Sequence, residues 1–302
     1  MSVKISRAGE DLAVSRISRR GFLAGTAAVG AAALTGRFGF AADETKSKVT
    51  CGTDVVTLGK TDVKTSVLGL GTGTRGGHEQ RELGEAGFTK MVRHALDCGV
   101  RYIDTADAYR MHYLVSKALK GIAKDKYFIQ TKTGAKHPEV AKADIDRFRR
   151  ELQVPHLDSL LMHCMSKGGW DTDMRPVMDV LREAKEKGRV RAVGVSCHGF
   201  DPLVTSADCD WIDVHLVRIN PFGVKMDDKP DKVAGQIKKM HKKGHGVLGM
   251  KVFGENGYDS AEKRFEALKY VLGLGAVDAF TIGFVSTKQI DETLEMIRKA
   301  TA

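Results

Sequence analysis

Residues 101–132 read RYIDTADAYRMHYLVSKALKGIAKDKYFIQTK. Arg101–Asp104 is a short apolar pair, Tyr102-Ile103, bounded by charge and ended by an acid, and Tyr113–Ile122 repeats its apolar residues with a helical period. Tyr127–Thr131 is again strand-like, rich in aromatic and β-branched residues. A strand, a helix and a second strand in this order form a β-α-β unit, whose two strands run parallel. Short apolar runs bounded by glycine or charge suit strands that are covered on both faces.

The same alternation recurs eight times. Strands are predicted at Ser66–Leu70, Arg101–Asp104, Tyr127–Thr131, Ser159–Met162, Val190–Val195, Asp213–Ile219, Gly246–Met250 and Ala279–Ile282. Helices are predicted at Gly87–Asp97, Tyr113–Ile122, Val140–Leu152, Met174–Lys187, Val233–Lys243, Ser260–Leu274 and Thr287–Ala300, with a weak one near Pro202–Ser206. Lys-Gly, Cys-Gly and Leu-Gly steps close several of them. Eight such units in about 235 residues predict an α/β fold of the (β/α)8 TIM-barrel type. The competing doubly wound sheet usually has fewer units. Asp54–Leu58 and Asp62–Thr65 flank Gly59-Lys60-Thr61, which predicts a short N-terminal hairpin outside the barrel.

Of the 302 residues, 42% are hydrophobic and 28% charged, ordinary globular values that exclude collagen-like and wholly disordered chains. Lys plus Arg number 48 and Asp plus Glu 38, a net charge of +10. The first 42 residues hold six basic and two acidic side chains and so contribute +4. The remaining +6 is interspersed with acids, which argues for no nucleic-acid partner. Five cysteines without a C-x-x-C pair make neither a closed disulfide framework nor a four-cysteine metal site.

Residues 1–42 read as an export leader ahead of a catalytic barrel at 43–302. Ser18-Arg19-Arg20-Gly21-Phe22-Leu23 resembles the twin-arginine signature, and sixteen uncharged residues, Gly21 to Gly36, follow it. That stretch is too short and too rich in Ala and Gly for a stable membrane anchor. Small residues at Gly39-Phe40-Ala41-Ala42 place peptidase cleavage near Ala41 or Ala42. Such a leader implies the twin-arginine export machinery as partner, a protein exported already folded, and a periplasmic location.

Active sites of such barrels lie at the C-terminal ends of the strands. There the second strand runs into Asp104-Thr105-Ala106-Asp107-Ala108-Tyr109, the third ends Thr131-Lys132, and the fourth ends Met162-His163. Asp104, Tyr109, Lys132 and His163 thus converge from three neighbouring strands. A free tyrosine titrates near pH 10 and is a poor acid at neutrality. A Lys132 ammonium beside Tyr109 is expected to lower that value, with Asp104 holding the lysine charged and oriented. His163 could then steer a substrate carbonyl toward Tyr109, a geometry suited to protonating the oxygen while the carbon receives hydride.

Ile103-Asp104-Thr105-Ala106-Asp107-Ala108-Tyr109, Thr131-Lys132, Leu161-Met162-His163 and Gly188–Ser196 resemble the aldo-keto reductase family, as does Leu68-Gly69-Leu70-Gly71-Thr72. The likeness runs from about Val56 to Ile297. It implies a barrel, a tetrad of Asp104, Tyr109, Lys132 and His163, a small-molecule carbonyl substrate, NADPH (or NADH) as cofactor, and no metal. The cofactor positions it implies are Gly71, Thr72, Ser196, Cys197, Leu216, Met250, Lys251, Gly283, Gln289, Glu292 and Thr293. Several depart from the family pattern. Cys197 replaces an Asn, Leu216 a Gln, and Met250 or Lys251 an aromatic that stacks on the nicotinamide. Gly283 and Gln289 stand where a basic pair clamps a 2′-phosphate, and Met111-His112 stands near a usual Ser-Glu.

Other readings weigh less. Gly69-Leu70-Gly71-Thr72-Gly73 is not a dinucleotide fingerprint, because a charged loop, Arg75 to Glu85, is expected after it instead of a helix. His163-Cys164 and Cys197-His198 end adjacent strands, but alternation lets only one residue of each pair face the site. Trp170 is a candidate wall of the substrate pocket. Lys132 and Lys251 both end barrel strands, so a Schiff-base lyase or aldolase is the alternative function. A barrel that binds nucleotide with weak turnover is another.

Overall fold

The computed structural model describes residues 49–302 apart from 256, 258 and 259. The expected leader, with its Arg19-Arg20 pair, lies outside the described residues. The barrel is built from eight parallel strands: β3 (Leu68–Gly71), β4 (Tyr102–Asp104), β5 (Phe128–Thr133), β6 (Leu157–Met165), β7 (Val190–Cys197), β8 (Val214–Arg218), β9 (Gly246–Met250) and β10 (Ala279–Gly283). Each pairs with its sequence neighbour, and β10 pairs with β3 to close the ring. This is the (β/α)8 architecture that the eightfold alternation predicts.

The outer layer consists of α2 (Gly84–Asp97), α3 (His112–Leu119), α4 (Pro138–Leu152), α6 (Arg175–Glu186), α7 (Phe200–Asp208), α8 (Pro230–Lys242), α9 (Ala261–Gly273) and α10 (Thr287–Thr301). Two single turns, α1 (His78–Arg81) and α5 (Trp170–Asp173), precede α2 and α6. Each long helix buries one stripe. In α6 it is Val177, Met178, Leu181 and Ala184, spaced three and four apart, and Gly188 stops the chain there in the left-handed region at φ 67°. Two expectations change. The Arg75–Glu85 stretch contains α1 and the start of α2, and the weak helix near Pro202 is a full nine-residue α7.

The hairpin β1 (Val55–Thr57) and β2 (Lys64–Ser66) is antiparallel, with Val55 opposite Ser66. Leu58 and Val63 from its loop are fully buried against the barrel's interior residues Tyr102, Phe128, Leu161, Val214, Leu216 and Leu248. They plug the barrel, and burying each is worth roughly 1.5–3 kcal/mol. Inside, Gly69 admits the Tyr102 ring, since a Cβ there would lie 2.2 Å from the ring. Among the described residues no helix is long and apolar enough to cross a membrane, and all five cysteines are free.

Candidate active site

Asp104 is the last residue of β4, and Lys132 sits near the end of β5 on the inward face that Phe128 and Gln130 share. Both are nearly inaccessible, at 4% and 1% exposure. Lys132 Nζ donates to Asp104 Oδ1 at 2.7 Å and to the Thr105 carbonyl at 2.8 Å. Burial alone would strip the proton from such an amine, but Asp104 and Tyr109 outweigh it and hold the lysine above its ordinary value. Gln130 fixes the acid from below. Its Nε2 donates to Asp104 Oδ1 at 2.9 Å and to the Tyr102 hydroxyl at 2.8 Å, while Ser159 donates to its Oε1. Sequence reading missed Gln130. Its signal was an amide side chain two residues before Lys132, on the same face of a fully buried strand.

Tyr109 ends a single 3-10 turn, Asp107–Tyr109, and the left-handed Arg110 after it redirects the chain. Its ring lies 4.9 Å from Lys132 Nζ and 5.6 Å from the His163 ring, edge on. A Cβ on Gly73 would fall 2.4 Å from this ring, so the glycine makes the ring's seat. Arg81 donates to the Tyr109 carbonyl, and Arg147 holds Asp107. His112 joins Glu151 at 2.7 Å to Thr131 at 2.8 Å, tying α3 to α4 and to the strand that carries Lys132. The neighbouring Tyr113 is 59% exposed and reaches Glu85, away from this lysine.

The electrostatics correct one expectation. Burial raises the Tyr109 phenol above its ordinary value, and the Lys132 ammonium offsets only part of that rise. The phenol is therefore protonated across the neutral range and available as a donor. Burial drives His163 down to about 3, with Lys132, His198 and Lys136 adding to the shift, so its ring is neutral. A neutral imidazole can donate one hydrogen bond to an oxygen without competing for the proton.

Asp104, Tyr109, Lys132 and His163 line one open cleft at the strand ends, and Gly71, Ser196, Met250, Lys251 and Gly283 line it too. The other positions expected at the cofactor do not. Thr72 donates to the Asp104 carbonyl at 3.0 Å, beneath the cleft. Cys197 faces α7, donates to the Pro202 carbonyl at 3.3 Å, and is pushed up to about 12 by burial. Leu216 belongs to the barrel interior. Gln289 accepts from the Val285 N–H and caps its own helix start, Thr293 donates back to the Gln289 carbonyl, and Glu292 pairs with Lys288 on the surface. Trp170 is buried, donating to the Pro202 carbonyl, and is not among the residues that line this cleft.

His163 and Cys164 both line the cleft, contrary to strict alternation. The register slips between Met162 and Met165, and Cys164 adopts a left-handed φ of 60°, which breaks the two-residue period. Its thiol lies 3.4 Å from His198 Nε2, while its N–H donates to Ser196 Oγ at 3.0 Å.

Three features of this cleft suit a nicotinamide nucleotide. The buried Thr281 hydroxyl on its wall has no partner, Gly76 leaves its floor bare of side chain, and Lys251 brings a cation to it. That cation faces Glu255 at 2.6 Å, so an anionic ligand has one carboxylate to displace. As a Schiff-base nucleophile Lys132 is unsuited, because its amine is charged and already donates to Asp104 and Thr105.

A sequence model described as the aldo/keto reductase family matches residues 67–267. The aldo-keto reductase YhdN of Bacillus subtilis is 27% identical over 169 residues, 50% of this chain and 49% of that protein. The NADH-specific methylglyoxal reductase of Escherichia coli is 25% identical over 166 residues, 47% of this chain and 51% of that protein. The chain spans about half the length of the curated relatives it matches. Among solved structures, a putative aldo-keto reductase of Pseudomonas aeruginosa superposes with a TM-score of 0.70 at 20% identity, covering 86% of this chain and all of that one, and shows the same fold. With the barrel and the cleft in place, the matched 201 residues decide the kinship: the chain belongs to the aldo/keto reductase family.

Proposed function

We propose that the protein reduces an aldehyde or ketone with NAD(P)H, using Tyr109 as the proton donor. The observation that carries this reading is the buried Lys132–Asp104 pair at 2.7 Å with the Lys132 ammonium over the Tyr109 ring. His163 and Tyr109 meet edge to face and both line the cleft, so a carbonyl oxygen there can take a hydrogen bond from one and a proton from the other. As the phenol gives up its proton, Lys132 stabilises the phenolate, and the nearly inaccessible Asp104 keeps that charge in place. Gly71, Ser196, Met250, Lys251 and Gly283 line the cleft and would hold a reduced nicotinamide there, which would supply the hydride. The similarity to the NADH-specific methylglyoxal reductase of E. coli supports an aldehyde substrate and NADH as an acceptable donor.

Residues 1–42 act in this reading as a twin-arginine leader, cut near Ala41 or Ala42, that delivers the folded barrel to the periplasm with its cofactor loaded. The Arg19-Arg20 pair and the uncharged stretch behind it support this. Replacing both arginines by lysine should leave the uncut chain in the cytoplasm. Mature protein in the periplasm of that variant would overturn the assignment.

The catalytic reading is tested with Tyr109→Phe, which keeps the ring and removes the acid. Carbonyl-dependent loss of the reduced cofactor's near-ultraviolet absorbance should fall by about 10²–10⁴-fold, with cofactor binding retained. Undiminished turnover would remove Tyr109 from the chemistry.

A further inference from the structure

We propose that His94, Cys98 and Asp291 form a binding site for one zinc-like divalent cation, a clasp between α2 and α10. His94 and Cys98 stand four residues apart at the end of α2, on one face and one turn apart, with the Cys98 N–H bonded to the His94 carbonyl. Asp291 reaches them from α10. His94 Nε2 is 2.7 Å from Asp291 Oδ1 and 3.6 Å from Cys98 Sγ, and Sγ is 3.9 Å from Oδ1.

These separations resemble the edges of a tetrahedral metal site. With a metal–sulfur bond of about 2.3 Å and metal–nitrogen and metal–oxygen bonds of about 2.1 Å, the sulfur edges are about 3.6 Å and the nitrogen–oxygen edge about 3.4 Å. Both sulfur edges of the triad lie within a few tenths of an ångström of that. The third is contracted by a hydrogen bond, which a cation would replace. Small side-chain rotations therefore suffice, with no backbone movement. The donors are a thiol, an imidazole and a carboxylate, a set that suits zinc and is too soft for magnesium or calcium.

The local field also favours a cation. The Asp97 and Asp291 carboxylates both act on Cys98, opposed by Arg298, and that arginine is engaged with Glu295 at 3.0 Å. Asp291 is half exposed, which leaves the fourth position to water. One other group of compatible ligands occurs among the described residues, Asp107 with His112 and Glu151. There Arg147 already occupies the carboxylates, and Thr131 takes the second histidine nitrogen. The α2–α10 triad has no such competitor among its hydrogen bonds. Because α2 follows the first barrel strand and α10 follows the last, a metal here would fasten the helical ring where the barrel closes.

The test uses the full-length protein, stripped with a chelator and titrated with cobalt(II) and zinc(II). Cobalt should give one equivalent of binding with a thiolate-to-metal absorption band, and zinc should displace it. Cys98→Ser should abolish the band, and Asp291→Asn should weaken binding at least about tenfold, as loss of a metal ligand requires. Zinc should raise the melting temperature of the parent protein and leave that of Cys98→Ser unmoved. Absence of the band, or a band that survives in Cys98→Ser, would overturn the assignment.

Discussion

Arg147, on α4, grips the Asp107 carboxylate through both terminal nitrogens, at 2.7 and 2.9 Å, two residues before Tyr109. The same guanidinium donates to Asp144 at 2.7 Å and Glu151 at 3.2 Å, so three acids hold it flat. A planar fork makes two parallel bonds to one carboxylate, which a lysine cannot reproduce. The turn carrying Tyr109 is thereby tied to a helix that contributes no residue to the cleft lining.

Arg147→Lys should keep the fold and loosen this turn. In a partly exposed network the loss of stability is small. Misplacement of an acid by a fraction of an ångström is not small for catalysis, and kcat for carbonyl reduction should fall about tenfold with the cofactor KM unchanged. Steady-state kinetics against both substrates separates the two parameters. An equal rise in cofactor KM would assign Arg147 to binding.

His163 makes stability depend on pH. In the folded protein its pKa is about 3, and unfolded it returns to about 6.5. Between those values the unfolded chain binds a proton that the folded chain refuses, so stability falls as pH drops below about 6.5. His198, depressed to about 4, acts in the same direction but sits at the exposed rim, where solvent damps its share. Urea midpoints at pH 7 and at about 4.5 should show the decline, and His163→Gln should make it shallower. A His163→Gln variant that declines as steeply as the parent would shift the cause to other groups.

Removing Lys132 tests the buried pair. Lys132→Met leaves the Asp104 carboxylate buried without its cation, which typically costs about 3–5 kcal/mol. The folded variant then takes up a proton at Asp104 more readily than the unfolded chain does. Its stability relative to the parent should therefore recover as pH is lowered toward about 5. Chemical denaturation of both proteins across that range measures the difference. A gap that stays constant with pH would mean that the carboxylate finds another partner.

The eight strands were legible because each is a short apolar run, and parallel strands covered on both faces write themselves that way. The convergence of Asp104, Lys132 and His163 on one cleft was legible for a related reason: a charged or polar residue at the end of such a run has little structural purpose there. The cofactor positions were less so. Sequence order says which residues follow a strand, but not which way they turn once the chain leaves extended geometry. Cys164 at φ 60° is the clearest case, bringing two successive residues to one side where alternation allows one. Cys197 fails in the opposite sense, being still in the strand and so turned outward onto α7. The sign of the Tyr109 shift was unreadable because it depends on the depth of burial, which no local pattern encodes.

Gly73 offers a separation of fold from chemistry. Its missing Cβ is what leaves room for the Tyr109 ring, with the would-be methyl 2.4 Å from one ring carbon and 2.5 Å from the next. Real contacts of this kind lie at 3.5–4.0 Å, so Gly73→Ala must push the ring by about 1 Å. The ring's neighbours also include His163 and Lys132, and the lysine is fixed by Asp104. The ring therefore moves out of line with the ammonium and the cleft. The Lys132–Asp104 pair and the barrel beneath it stay intact, and unfolding should change by no more than the 1–3 kcal/mol typical of overpacking. Turnover should drop about a hundredfold or more, while nicotinamide binding, followed by quenching of intrinsic fluorescence, should hold within a few-fold. Full activity in Gly73→Ala would mean that the ring has a second seat from which it can still reach a carbonyl, and the proton donor would then not depend on the position described for it.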